Sequence, residues 1–374
     1  MAGRVLITGG AGFIGCHLVS ALLQRGYPVR VLDSMIDQVH GAAKHGAAKR
    51  NPLPPDVELV RADVRDGDRV SAALDGVDSV VHLAAEVGVG QSMYAIDRYV
   101  SVNDGGTAVL FQALIDKPVR RVVVASSMSV YGEGLYRTEG GQLVDDVLRT
   151  PRASGAGWDP PGPDGAPLIP VATPETKRIN LASVYAMTKY AQERLTLTVA
   201  PAYGMEGVAL RLFNAYGPGQ ALSNPYTGVL AIFASRLLNR ERPLVFEDGE
   251  QRRDFVHVQD VARAFVLALE TPAAAGRVFN IGSGQDVSIN QVGQAIADAM
   301  GAPDLTPELM NKARVGDIRH CFADISLARD VLGFRPRRTF EDSLGELAEW
   351  VRQQKAEDKV DAAKRELEQR GLVA

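Results

Sequence analysis

Tyr185 and Lys189 stand four residues apart in the run Ser183-Val184-Tyr185-Ala186-Met187-Thr188-Lys189. On a helix that spacing puts both side chains on one face. An unperturbed tyrosine has a pKa of about 10, and a cation one turn away favours the phenolate and lowers that value. Taken alone, the pair equally describes an amphipathic helix with a half-buried tyrosine and a surface lysine. Its weight comes from the N-terminus, which reads Val5-Leu6-Ile7-Thr8-Gly9-Gly10-Ala11-Gly12-Phe13-Ile14-Gly15. Gly9, Gly10, Gly12 and Gly15 satisfy two glycine spacings of a dinucleotide fingerprint. Such a site needs one glycine for the tight turn, one for close approach to a pyrophosphate and one for helix packing. Phe13 and Ile14 open the helix whose N-terminus would meet the negative charge. Asp33, ending the next strand, is placed to accept from a ribose diol, and its charge repels a 2′-phosphate, which favours NAD over NADP. Asp63 and Val64, after the third strand, would flank an adenine. Ser126, Ser127 and Ser129 follow a strand end, where such sheets bind ligands; serines there are equally common as turn formers.

These groups must be carried by alternating strands and helices. Apolar runs at 4–8, 29–33, 57–61, 79–83, 121–126 and 207–213 read as strands. Helical spacing over 13–26, 66–74, 94–116 and 184–203 lies between them, with Gly26 as a C-cap. The pattern predicts an α/β fold, a Rossmann-type doubly wound parallel sheet with a smaller C-terminal substrate-binding lobe. Short helices at 228–238, 259–270, 289–300 and 340–352 build that lobe. Residues 34–56 read as a loop with a tandem His-Gly-Ala-Ala-Lys repeat (40–44 and 45–49), either a basic loop near the adenosine or a plain surface duplication. Residues 132–182 form a Gly- and Pro-rich insertion without regular structure, and 353–372 a charged, solvated helix. The expected units are 1–183 for the dinucleotide domain with its insertion at 132–182, 184–206 for its catalytic helix, 207–352 for the substrate lobe, and 353–374 for the terminal helix.

The 374 residues are 46% hydrophobic and 23% charged, a globular balance able to bury a large core. A net charge of −4 gives no reason to expect nucleic acid or an anionic membrane as partner. Cys16 and Cys321, far apart in sequence, argue against a disulfide framework or a cysteine-ligated zinc, and no metal is expected. With no apolar stretch of spanning length, a cytoplasmic protein is expected.

Over roughly residues 4–350 the chain resembles the extended short-chain dehydrogenase/reductase superfamily, and within it the NAD-dependent nucleotide-sugar epimerase/dehydratase group. Besides the glycine loop, Tyr185 and Lys189, the resemblance rests on His82-Leu83-Ala84-Ala85, Asn103 and Ser126-Ser127-Met128-Ser129-Val130-Tyr131-Gly132. It extends to Arg211-Leu212-Phe213-Asn214-Ala215-Tyr216-Gly217-Pro218, Glu247-Asp248-Gly249-Glu250-Gln251-Arg252-Arg253-Asp254-Phe255 and Arg314-Val315-Gly316-Asp317. The resemblance implies Ser127, Tyr185 and Lys189 as the catalytic set. NAD would be held by the glycine loop with Asp33, Asp63, Val64, Leu83, Ala84, Ala85, Asn103, Tyr185 and Lys189. Asn214, Arg253 and Arg314 would hold a nucleotide diphosphate, since guanidinium groups make charge-assisted forks with phosphate. Asp317 would approach the nucleotide, Phe246 would pack on its base, and Ser129 and Glu86 would face the sugar.

Departures narrow the reaction. Dehydratases of this group carry an Asp-Glu pair after the catalytic residue; here Met128 and Ser129 stand there. No Cys lies where epimerase-reductases need one. Ser127, Tyr185 and Lys189 with NAD suffice for 4-epimerisation of a dTDP- or UDP-hexose through a transient 4-keto sugar. Glu86–Tyr94, the insertion, and the run 221–228 resemble dTDP-L-rhamnose 4-epimerase-like members, which work between the rhamnose and 6-deoxy-talose sugars. A 4-ketosugar reductase that consumes NAD(P)H and a non-catalytic NAD sensor stay open as alternatives. The resemblance also implies a homodimer through helices near 103–116 and 184–203.

Overall fold

Seven short, β-branched segments pair side by side in the computed structural model, which describes residues 3–40, 53–148, 157–224, 226, 228–354 and 360–373. They are β1 (Arg4–Thr8), β2 (Val29–Asp33), β3 (Glu58–Arg61), β4 (Val77–His82), β5 (Arg121–Ser127), β6 (Glu206–Leu212) and β7 (Val278–Ile281). All pair in parallel, in the order β7-β6-β5-β4-β1-β2-β3. The order reverses between β1 and β4, and a doubly wound sheet opens its ligand crevice at such a switch.

Because side chains alternate along a strand, the same strands feed two cores. Val5, Ile7, Val31, Val81, Val123 and Leu210 pack with Leu18, Leu22, Phe265 and Leu269, from helices Phe13–Gln24 and Val258–Glu270. Leu6, Leu32, Val80 and Val122 point the other way, onto Val70, Leu110, Leu114 and Ala200. Those belong to helices Gly67–Ala73, Gly106–Asp116 and Val184–Ala202. A separate cluster built on Phe233, Leu237, Ile296, Phe340, Leu344 and Val351 holds helices Val229–Leu238, Ile289–Ala299 and Phe340–Arg352 together.

One helix changes place: Val258–Glu270, expected in the smaller lobe, packs on the sheet against helix Phe13–Gln24. Three other expectations change. The helix expected over 94–116 is broken into Ile96–Tyr99, a π-helical turn Val100–Gly105 and Gly106–Asp116. The wider turn carries Asn103, which is fully buried; such bulges often re-aim a functional side chain. The insertion is not structureless: Leu135–Arg137 pairs antiparallel with Leu143–Val144 and with Ile169–Val171. It is fastened to the substrate lobe by Glu133, whose carboxylate accepts from the backbone N–H groups of Arg319 (2.6 Å) and His320 (3.2 Å). Asp159 adds contacts to the Arg319 Nε (2.7 Å) and His320 Nε2 (3.0 Å), and these partners hold its carboxyl well below the usual range. The third change is the terminal segment. Helix Val360–Gln369 is not simply solvated, since Leu367 is buried against the body of the protein.

The 34–56 stretch begins with a helical turn, Asp37–His40. Apart from His40, its tandem repeat lies outside the described residues. Among the described residues no helix is long and apolar enough to cross a membrane. Cys16 and Cys321 are both free thiols, and burial pushes each up to about 12.

Candidate active site

At the β1–β4 switch a cavity of about 870 Å³ runs from the glycine loop across the sheet's C-terminal edge into the second lobe. That lies near the upper end of ligand-site sizes, roughly 300–1,000 Å³, and leaves room for more than one small molecule. Gly9 takes φ +70°, and a Cβ there would lie 2.8 Å from the Ala84 nitrogen. A Cβ on Gly15 would lie 2.5 Å from the Gly10 Cα, so the helix packs this close to the loop after β1 only because Gly15 has no side chain. Gly9, Gly12, Phe13, Ile14 and Gly15 line the cavity, as do Asp33, Asp63, Val64, Leu83, Ala84 and Ala85. Asp33 accepts from the N–H groups of Ala11 (3.0 Å) and Met35 (2.8 Å), which fix its carboxylate beside the loop. A glycine cradle that a Cβ would fill, with an oriented carboxylate at its far edge, fits a dinucleotide. Asp63 is engaged in a two-pronged pair with Arg65 (2.9 and 2.7 Å), which lowers its carboxyl pKa.

Ser127, Tyr185 and Lys189 line the middle of the cavity together. Ser183 caps the helix Val184–Ala202, its hydroxyl accepting from the Ala186 N–H (3.1 Å). From that start, Tyr185, Thr188, Lys189, Gln192, Glu193 and Thr196 fall on one face at steps of three and four, against β5. Ser127 hydrogen-bonds Tyr185, and the Ser129 hydroxyl donates to Ser127 Oγ (3.0 Å). Ser126, the third candidate, is taken elsewhere: its hydroxyl donates to Glu193 (2.7 Å), which is forked by Arg211 (3.0 and 2.7 Å).

The expectation that Lys189 lowers the tyrosine is corrected. Burial dominates both groups, pushing the Tyr185 phenol up to about 12 against the opposing Ser127 bond. It drives the Lys189 ammonium down to about 7. Lys189 Nζ donates to Gln192 Oε1 (2.7 Å), and Gln192 Nε2 donates to Thr107 Oγ1 (2.9 Å). His82 joins this buried chain through Thr8 Oγ1 (2.7 Å) and Thr107 Oγ1 (2.9 Å). Burial, helped by Lys189, takes the imidazole down to about 3, so it stays neutral. Gln192 escaped the sequence reading although its position was legible: a polar residue at i+3 from Lys189, on the buried face.

Asn103 does not line the cavity. It stands behind the wall, accepting from the Glu86 N–H (2.7 Å) and donating to Glu86 O (3.1 Å) and Thr188 Oγ1 (2.9 Å). It thereby fixes the loop bearing Glu86, which does line the cavity and pairs with Arg98. Arg98 also donates to Gln38 (2.7 Å), and both were missed because no local pattern links them to the site.

At the far end stand Asn214, Phe246, Arg253, Arg314 and Asp317, with Ser129 nearer the middle. Asn214 Oδ1 is buried with no hydrogen-bond partner among the described residues. Arg253 is aimed by the carbonyls of Arg252 and Arg319 (each 2.9 Å) and of Ile318. Arg314 stacks on Phe246 (4.5 Å to the ring centre) and is forked by Asp317 (2.8 and 3.1 Å). Asp317 therefore orients Arg314 while itself lining the cavity.

Residues 5–282 match the model of the NAD dependent epimerase/dehydratase family. The chain belongs to that family. It is 38% identical to the dTDP-L-rhamnose 4-epimerase of Burkholderia thailandensis, over 94% of this chain and 95% of that one. Among solved structures, the UDP-glucose 4-epimerase of Thermotoga maritima with UDP-glucose superposes with a TM-score of 0.74 at 29% identity. That match covers 93% of this chain and 98% of the other. The UDP-glucose 4-epimerase of Thermus thermophilus with NAD gives 0.71 at 30%, covering 94% and 100%. The family match takes in the glycine loop, Ser127, Tyr185, Lys189, Asn214 and Arg253, and ends before Arg314, Asp317 and the terminal helix.

Proposed function

We propose that this member of the epimerase/dehydratase family is an NAD-dependent nucleotide-sugar 4-epimerase acting on a dTDP- or UDP-hexose. One observation carries the reading. Ser127, Tyr185 and Lys189 share a cavity between a dinucleotide cradle and an arginine pair, with Met128 and Ser129 where elimination would need carboxylates. When bound, NAD supplies the acceptor and donor of hydride at the sugar C4.

The chain's own groups do the rest. Tyr185 Oη takes the proton of the sugar 4-hydroxyl and later returns one to the same oxygen. Ser127 Oγ donates to that oxygen as it gains carbonyl character, and Ser129 holds Ser127 in place. Lys189, aimed by Gln192, holds the negative charge that develops on the phenol. Arg253, Arg314 and Asn214 grip the diphosphate, so the sugar ring can turn over without leaving. Asp33 sets the preference for NAD, Asp63 and Val64 border the adenine, and Leu83, Ala84 and Ala85 line the path of the dinucleotide. Glu86 and Ser129 face the sugar. The dinucleotide unit takes in residues 1–206 together with β6, helix Val258–Glu270 and β7, and the rest of 207–352 makes most of the substrate lobe.

The likeness to the Burkholderia relative supports the dTDP-L-rhamnose/6-deoxy-L-talose pair as the sugars. A cytoplasmic homodimer completes the reading. Ile96 (52% exposed), Val100 (43%) and Met187 (54%) stand on adjoining helical segments and support a partner there. The test is a panel of dTDP- and UDP-sugars followed by NMR for inversion at C4. Inversion without net change in the dinucleotide is expected. Stoichiometric loss of NAD(P)H would make the enzyme a ketosugar reductase instead, and no turnover with bound NAD would favour a sensor.

A further inference from the structure

The charged C-terminal segment returns to the cavity. Val360, Ala363, Lys364 and Leu367 recur at helical spacing, and all four line the cavity, so the helix presents one face to it. That face is docked rather than hovering. Both Leu367 methyls lie 3.6 Å from where a Gly90 Cβ would stand. The Arg370 guanidinium lies over the Tyr94 ring (4.5 Å), and Lys312 pairs with Glu368 (3.0 Å). Past the helix the chain runs back beside Arg314: the Val315 N–H donates to Leu372 O (2.9 Å), and Arg314 forms an antiparallel bridge with Val373. The loop bearing Arg314 and Asp317 is thus held by the end of the chain. Lys364 brings a third cation to this end of the cavity. Among the described residues its ammonium makes one long contact, to Met310 Sδ (4.0 Å), and feels the Glu368 carboxylate one turn on, which Lys312 already pairs. An ammonium on a cavity wall with so weak a partner keeps its donors available for an anion.

We propose that residues 360–373 form a working wall of the substrate site and that Lys364 binds the diphosphate of the nucleotide together with Arg253 and Arg314. The inference rests on the nucleotide-sugar reading above. It is tested on the full chain by calorimetry with dTDP, UDP, thymidine and uridine, using bound NAD as a check that each variant is folded. Lys364→Ala should weaken the diphosphate that wild type binds by about tenfold, the loss of one charge-assisted hydrogen bond, and leave its nucleoside within twofold. Leu367→Asp, which undocks the wall, should weaken diphosphate and nucleoside alike, with NAD content unchanged. Diphosphate affinity within twofold of wild type in both variants would overturn the inference while leaving the epimerase reading intact. An equal loss for diphosphate and nucleoside in Lys364→Ala would overturn the role of that lysine. If wild type bound neither diphosphate, the nucleotide-sugar reading itself would fall, and this inference with it.

Discussion

Tyr185 and Lys189 are an acid and a base whose solution pKa values lie close together, and burial spreads them apart. The phenol goes up to about 12 and the ammonium down to about 7. The phenol must still lose a proton during turnover, and the charge on an oxidised nicotinamide ring offsets the burial that opposes this. Tyr185→Phe should therefore lower kcat by about 10²–10⁴, the usual contribution of a positioned proton donor, and retain bound NAD. Wild-type turnover measured by NMR in that variant would remove the tyrosine from the mechanism. Lys189 makes a prediction about stability. Below pH 7 it is protonated both folded and unfolded, so the cost of burying its charge is felt in full. Between about 7 and 10.5 the unfolded chain binds the extra proton, so wild-type stability rises with pH across that window. Lys189→Met should then be more stable than wild type at pH 6, by on the order of a few kcal/mol, with the gap narrowing by pH 9. Calorimetric scans of both proteins, stripped of dinucleotide, would show it; a gap that widens with pH would contradict the sign.

The helix Val184–Ala202 shows how one element turns spacing into a site. Ser183 fixes its start, and the 3.6-residue period delivers Tyr185, Lys189 and Gln192 to one face and Glu193 to the β6 side of it. Glu193 links the Ser126 hydroxyl on β5 to the Arg211 guanidinium on β6, all three buried. Glu193→Ala would leave a buried cation and a hydroxyl without their acceptor and should cost about 3–5 kcal/mol, read from denaturant unfolding. A loss under 1 kcal/mol would show that the strand end rearranges freely. Elements of this kind were legible in the sequence because their signals are local: glycine spacing, apolar residues at helical period, unbroken β-branched runs. The doubly wound sheet and the Tyr185–Lys189 pair follow from those, while Ser127 was chosen among Ser126, Ser127 and Ser129 only by the family resemblance. What escaped depends on contacts across many residues. The pairing of β7 with β6, 66 residues or more away, and the small sheet in the insertion carry no period of their own. Nor does charge content show that residues 360–369 return to the cavity, since four inward side chains in a charged helix look like any solvated helix. The π-helical turn is a shift of one residue in an otherwise helical pattern, below what apolar spacing resolves.

At the scale of the whole molecule, two lobes must hold their facing walls in register across an open cavity. Arg319 ties the insertion and the substrate lobe together, reaching Asp159 (2.7 Å), Glu247 (3.1 Å) and Asp248 (2.6 Å) from a nearly inaccessible position. The dinucleotide side has its own exposed feature. Ile96 and Val100 project into solvent from the two short segments packed against the catalytic helix, and Met187 from that helix itself, two residues from Tyr185. Large apolar side chains clustered on one face mark an interaction surface, and a self-complementary patch pairs about a two-fold axis. A partner there would bear on the catalytic helix directly, holding Tyr185 and Lys189 against β5 from outside. Met187→Glu with Val100→Glu places like charges on both sides of such an interface. The double variant should elute as a 40.1 kDa monomer by light scattering, with wild type expected at twice that mass on the proposed dimer. It should also bind NAD and turn over more slowly, because the helix loses its outer support. If wild type itself is monomeric at micromolar concentration, the apolar patch has another purpose and the catalytic helix is held by its own lobe alone.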